Sequence, residues 1–175
     1  MQIDKQSAAR RLIDVAIRNH ALGEDPIANH VIVMSCFDLL REYAGAKGKT
    51  FRSITDIVRP EYEKEVVKRY LKRGWYFLKH ARDDSDQLFD CANIGEINRS
   101  LTILNISKYF NVFGQESDHM RFFCAVETVV NPRMFKQEFV GRVNTAALQI
   151  FGAVPPVLTR ELLRDVYVEW VHRPR

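Results

Sequence analysis

The four residues Gly23-Glu24-Asp25-Pro26 separate two long stretches whose apolar residues recur at helical spacing, and this corner constrains the fold more than any other part of the chain. From Lys5 to about Leu22 the stripe is Ala8, Leu12, Val15, Ala16 and Leu22, with Arg10, Arg11, Arg18 and Asn19 left for the outer side. Gly23 suits a helix C-terminus, Asp25 can accept hydrogen bonds from free backbone amides, and Pro26 fits a first helical position. A second helix is predicted from Pro26 to Ala46, where Ile27, Val31, Met34 and Leu39 to Ala44 supply an apolar face broad enough for a central helix. So short a corner makes the two helices antiparallel neighbours.

Further on, residues 50–59 carry Phe51, Ile54, Ile57 and Val58 in a short helix or turn closed by Pro60. A helix is predicted over Glu61 to Ala81, with Glu61, Glu63 and Glu65 early and Lys68, Arg69, Lys72, Arg73, Lys79 and Arg82 late, the order the helix dipole favours. Asp83-Asp84-Ser85-Asp86 forms a polar corner. Helices follow near Ile94–Phe113, His119–Val130 and Met134–Phe151, punctuated by Gly114 and Asn131-Pro132. After Pro155-Pro156 a last amphipathic segment spans Thr159 to Val171. The expectation is an all-α, single-domain helical bundle over residues 1–175, with additional C-terminal helices and no linker-defined second domain.

Composition narrows the class. With 46% hydrophobic residues and 11 Phe, the chain can bury a core without disulfides or metals. Cys36, Cys91 and Cys124 are odd in number and widely separated, which reads as reduced core residues. No segment approaches the apolar length of a membrane span, so no membrane partner and a cytoplasmic location are expected. The formal charge of +4 favours a polyanion only if it gathers on one face.

No phosphate-binding glycine loop, dinucleotide fingerprint, HExxH, CxxC or Gly-x-Ser-x-Gly sequence occurs, and no cofactor or metal is expected. The strongest polar constellation is the end of the Glu61–Ala81 helix. Arg73 and His80 lie seven residues apart, two helical turns, so both can face one side. An imidazole can move a proton at a ribose hydroxyl while a guanidinium stabilises charge on phosphorus. Lys72, Lys79 and Arg82 would add phosphate attraction, Tyr76 a stacking surface, and Asp84 a group to cap the next segment or orient His80. The alternative reading is structural: cations at a helix C-terminus satisfy its carbonyls and dipole. A second polar set, His20, Asp25 and His30, flanks the first corner. It offers either a small metal or anion site or, for His30, a hydrogen bond across the bundle.

The run Gly23-Glu24-Asp25-Pro26-Ile27-Ala28-Asn29-His30, and the run Phe77-Leu78-Lys79-His80-Ala81 with Asp83 and Asp84, resemble the HEPN (higher eukaryotes and prokaryotes nucleotide-binding) superfamily, in particular a set of uncharacterised bacterial members. The resemblance covers about the first half of the chain and implies a helical bundle, often a homodimer. Many active members are metal-independent ribonucleases of toxin or defence systems, with an arginine and a histidine four to six residues apart. Arg73 and His80 enclose six, and Gly74 stands where active members carry a polar residue. Three functions remain open: an RNA- or nucleotide-binding module, a protein-interaction module with an exposed apolar stripe near Tyr167 and Trp170, and a ribonuclease using Arg73 and His80.

Overall fold

Local chemistry sets the helix ends. The computed structural model describes residues 2–49, 61, 77–78, 90–151 and 164–169; among these the chain is mostly helical, with no strand. Asp4 accepts from the Ser7 backbone N–H at 2.6 Å and starts α1 (Lys5–Leu22). Gly23, at φ 72°, ends it; Glu24 N–H turns back to the Asn19 carbonyl at 2.9 Å, a left-handed closure that a side chain would strain. Asp25 Oδ1 then accepts from Ala28 N–H at 2.7 Å, with Pro26 in the first turn of α2 (Pro26–Ala46). Both helices have the predicted bounds.

Ile94–Phe113 forms α3, ended by Gly114 at φ 72°, and Asp118–Val130 forms α4 behind a Ser117 cap. The helix predicted from Met134 begins later. Pro132–Met134 is a 3₁₀ turn, Phe135 is extended and fully buried, and α5 runs Gln137–Phe151. Sinking the Phe135 ring into the core breaks the run. Residues 164–169, within the predicted last segment, are helical.

Hydrogen bonds give the helix directions. Asn29 Nδ2 donates to the Ala16 carbonyl (3.2 Å) and the Cys36 thiol to the Ala9 carbonyl (3.6 Å), so α1 and α2 are antiparallel. Asn98 Nδ2 donates to the Pro26 carbonyl (2.7 Å) and Asn105 Nδ2 to that of Val33 (2.8 Å); numbers rise together, so α2 and α3 are parallel. Parallel neighbours require a long crossover. The corner Gly114–Ser117 turns α4 antiparallel to α3, and Arg99 of α3 grips Glu127 of α4 through two 2.8 Å bonds. Ser117 meets Asp14, and His20 meets Phe123, so α4 runs parallel to α1.

The core centres on α3. Leu101 to Tyr109 are buried without interruption, packed by Ile13, Ile17, Val33, Leu40, Met120 and Phe123. The sequence assigned a central place to α2, whose apolar face is broad; α2 packs on both α1 and α3, while Ile27 and Val31 near its start are exposed. Residue type reports what a face tolerates, not what covers it. Among the described helices α3 buries the most residues, and α1, α2 and α4 all pack on it.

Cys36 and Cys124 are buried as expected, and burial pushes the Cys36 thiol up to about 12 and that of Cys124 further still. Cys91 departs from the expectation: it lies exposed in the turn before α3, outside the packed helices. Among the described residues no helix is long and apolar enough to cross a membrane.

Candidate functional site

Along one edge of α1 the residues Arg11, Val15, Arg18 and Leu22 follow one another at steps of four, three and four, a single stripe on the helix. Beside it stands the start of α4, held there because Ser117, while capping α4, donates its hydroxyl proton to Asp14 Oδ1 at 2.6 Å. The helical residues 164–169 close the third side. Tyr167 is their anchor: it is 3% exposed, its ring lies 5.6 Å from Phe122 and 6.0 Å from His119, and its hydroxyl is 3.3 Å from His119 Nδ1. These three elements enclose an open groove of about 480 Å³ lined by Arg11, Asp14, Val15, Arg18, Leu22, His119, Tyr167 and Val168.

The charges in the groove do not balance locally. Asp14 is engaged by Ser117 and by Arg10, whose Nε lies 3.6 Å away. Arg41, Arg99 and Arg121 likewise have carboxylate partners. No ion pair among the described residues includes Arg11 or Arg18, so two guanidinium groups two turns apart border the groove with no described carboxylate on either. Burial pushes the Tyr167 phenol up, the Arg18 guanidinium opposing and the Asp14 carboxylate adding to it, so the hydroxyl stays a donor at neutral pH. Beside the arginines the lip is aliphatic: Leu22, one turn beyond Arg18, and Val168 are each 39% exposed. The groove therefore presents two cations, a hydroxyl–imidazole pair on its floor and an apolar rim, which suits an anion with apolar surface beside its charge.

The residues singled out in the sequence fall in two groups. Lys72, Arg73, Tyr76, Lys79, His80, Arg82 and Asp84 lie outside the described residues; of that segment only Phe77 and Leu78 are described, helical and half-buried. His20, Asp25 and His30 are described, and each is committed in a different direction. The His20 ring meets Phe123 of α4 edge-on at 5.8 Å, Asp25 caps its own helix, and His30 Nδ1 lies 2.8 Å from Asn98 Oδ1 of α3. His30 is 1% exposed and spans the bundle, as its structural reading anticipated. No group of three His, Cys, Asp or Glu that could hold a metal occurs among the described residues.

Sequence reasoning set Arg11 and Arg18 on the outer side of α1 without seeing them as a pair. Their seven-residue spacing around Val15 was the available signal. It saw no partner for His119, which meets Tyr167. Tyr167, expected in an exposed apolar stripe, is buried instead, because its ring fills the gap between α4 and the groove. Trp170 lies outside the described residues. No protein-family model, no curated protein and no solved structure matches the chain.

Proposed function

We propose that this all-α chain is a binding module whose α1 groove captures an anionic partner, in keeping with the RNA-, nucleotide- or protein-binding readings of its sequence. The observation that supports this most is the pair of arginines, Arg11 and Arg18, which border an apolar-rimmed groove and have no carboxylate partner among the described residues, while Arg10, Arg41, Arg99 and Arg121 are paired. Unpaired surface guanidinium is strongly attractive to carboxylate and phosphate oxygens, and the attraction weakens with salt. The test is retention on a polyanion resin across a salt gradient. The Arg11→Gln/Arg18→Gln double variant, with unchanged circular dichroism, should elute at lower salt than wild type. Equal elution removes the groove from the binding surface.

The HEPN-like resemblance carries a catalytic alternative, metal-independent RNA cleavage by Arg73 and His80, supported by their sequence spacing. Its test is cleavage of mixed unstructured RNAs in excess chelator by wild type, Arg73→Ala and His80→Ala. Cleavage lost in both folded variants supports it, and an inert wild type ends it. The same resemblance supports a homodimer, which sedimentation equilibrium would detect.

A further inference from the structure

We infer that the occupant of the α1 groove is an acidic amphipathic helix of a partner protein, an inference that deepens the binding reading above and rests on it. The stripe Arg11, Val15, Arg18, Leu22 has the four-three-four spacing by which one helix lines up against another, with arginine and aliphatic residues alternating. It spans residues 11–22, about 16 Å along the axis, which is about three turns of a facing helix. On the other side the helical residues 164–169 raise a second wall through Val168, so the groove is a trough between two helices and not a flat face.

Its chemistry favours a protein helix over a nucleic acid. Unpaired bases bind by stacking on exposed aromatic faces. Among the described residues that line the groove, the aromatic rings are His119, half-buried, and Tyr167, 3% exposed and covered by Phe122 and His119. What is exposed instead is aliphatic: Leu22 and Val168 at the rim. Leucine side chains of a partner would fill the trough between them. Glutamates repeating every seventh position on the same partner face would meet Arg11 and Arg18, which repeat at the same interval. The charge left open on α1 is thus matched in sign and in spacing by one helical partner.

The experiment is fluorescence anisotropy with three labelled probes: a helical peptide of about 20 residues carrying Glu at every seventh position and Leu at the intervening core positions, the same peptide with Lys for Glu, and a single-stranded RNA of about 20 nucleotides. The acidic peptide should bind wild type and the lysine peptide should not. Arg11→Gln/Arg18→Gln and, separately, Leu22→Ser should each weaken the acidic peptide by about tenfold. The charge-reversed Arg11→Glu/Arg18→Glu protein should bind the lysine peptide instead, a gain that a merely unfolded variant cannot produce. If resin retention depends on the two arginines but the acidic peptide does not bind, the helix inference is overturned while the binding reading stands. RNA binding through the same arginines without peptide binding assigns the groove to nucleic acid. If neither probe binds and retention is unchanged by the double variant, both readings fall.

Discussion

Replacing Asn98 by leucine probes the polar seam that joins α2 to α3. Asn98 is 1% exposed and makes two bonds: Nδ2 donates to the Pro26 carbonyl at 2.7 Å, and Oδ1 lies 2.8 Å from His30 Nδ1. Because a carbonyl only accepts, the amide nitrogen is committed to Pro26 and the amide oxygen faces the imidazole. His30 Nδ1 must then carry the proton. Leucine matches asparagine closely in shape but offers neither group. The His30 N–H, itself fully buried, loses its acceptor at about 1–3 kcal/mol, and the lost bond to Pro26 adds about 1 kcal/mol. The expected destabilisation is about 2–4 kcal/mol, seen in urea unfolding as a lower midpoint with an unchanged slope. A second variant isolates the cause. Changing His30 to leucine as well removes the stranded donor, so His30→Leu/Asn98→Leu should be no less stable than Asn98→Leu alone, and well short of the sum of the single losses. A loss below about 0.5 kcal/mol in Asn98→Leu, or strict additivity in the pair, would refute the reasoning.

Three further outcomes are expected. Burial holds the His30 pKa below its usual value, with the Asn98 bond opposing, so the stabilisation from a neutral imidazole is present above about pH 6.5 and lost as pH falls through the lowered folded value, at about 1.4 kcal/mol per unit. The gap in urea midpoint between wild type and His30→Gln should therefore narrow on acidification, and a gap that ignores pH contradicts the assignment. Arg99→Met strands the Glu127 carboxylate, 2% exposed, and should cost about 3–5 kcal/mol at neutral pH. Burial already pushes the Glu127 carboxyl up, Arg99 opposing, so a neutral carboxyl is favoured below its ordinary 4.5 and that stability is lost as pH rises through the raised folded value; thermal scans should show the variant's deficit shrinking in acid. In native protein a thiol reagent should modify Cys91 and spare Cys36 and Cys124, which react only on unfolding; protection of Cys91 would contradict its exposure.

The features legible in the sequence were those set by neighbours along the chain. The corner between α1 and α2 could be read because Gly23, Asp25 and Pro26 act within one turn of where they stand. The start of α4 was read to within a residue, whereas α5 began later than its periodicity implied, since Phe135 is drawn into the core by residues distant in sequence. In the site, Arg11 and Arg18 were recognisable as outward-facing. That they have no ion pair among the described residues depends on Asp14 being taken by Arg10, one turn away on the same helix, and by Ser117, more than a hundred residues on.

What the sequence by itself determined, then, is the helical class of the described residues and the corners that begin or end their helices, because caps, glycines and apolar periodicity act over a few residues and need no fold around them. The tertiary structure alone decided that α2 and α3 run parallel, that α3 is the most deeply buried of the described helices, and that Tyr167 is covered while Leu22 and Val168 are left open beside two arginines that have no ion pair among the described residues. Those outcomes depend on which surfaces meet. A helix face of given hydrophobicity can be satisfied by any of several neighbours, and only the summed packing of all of them selects one.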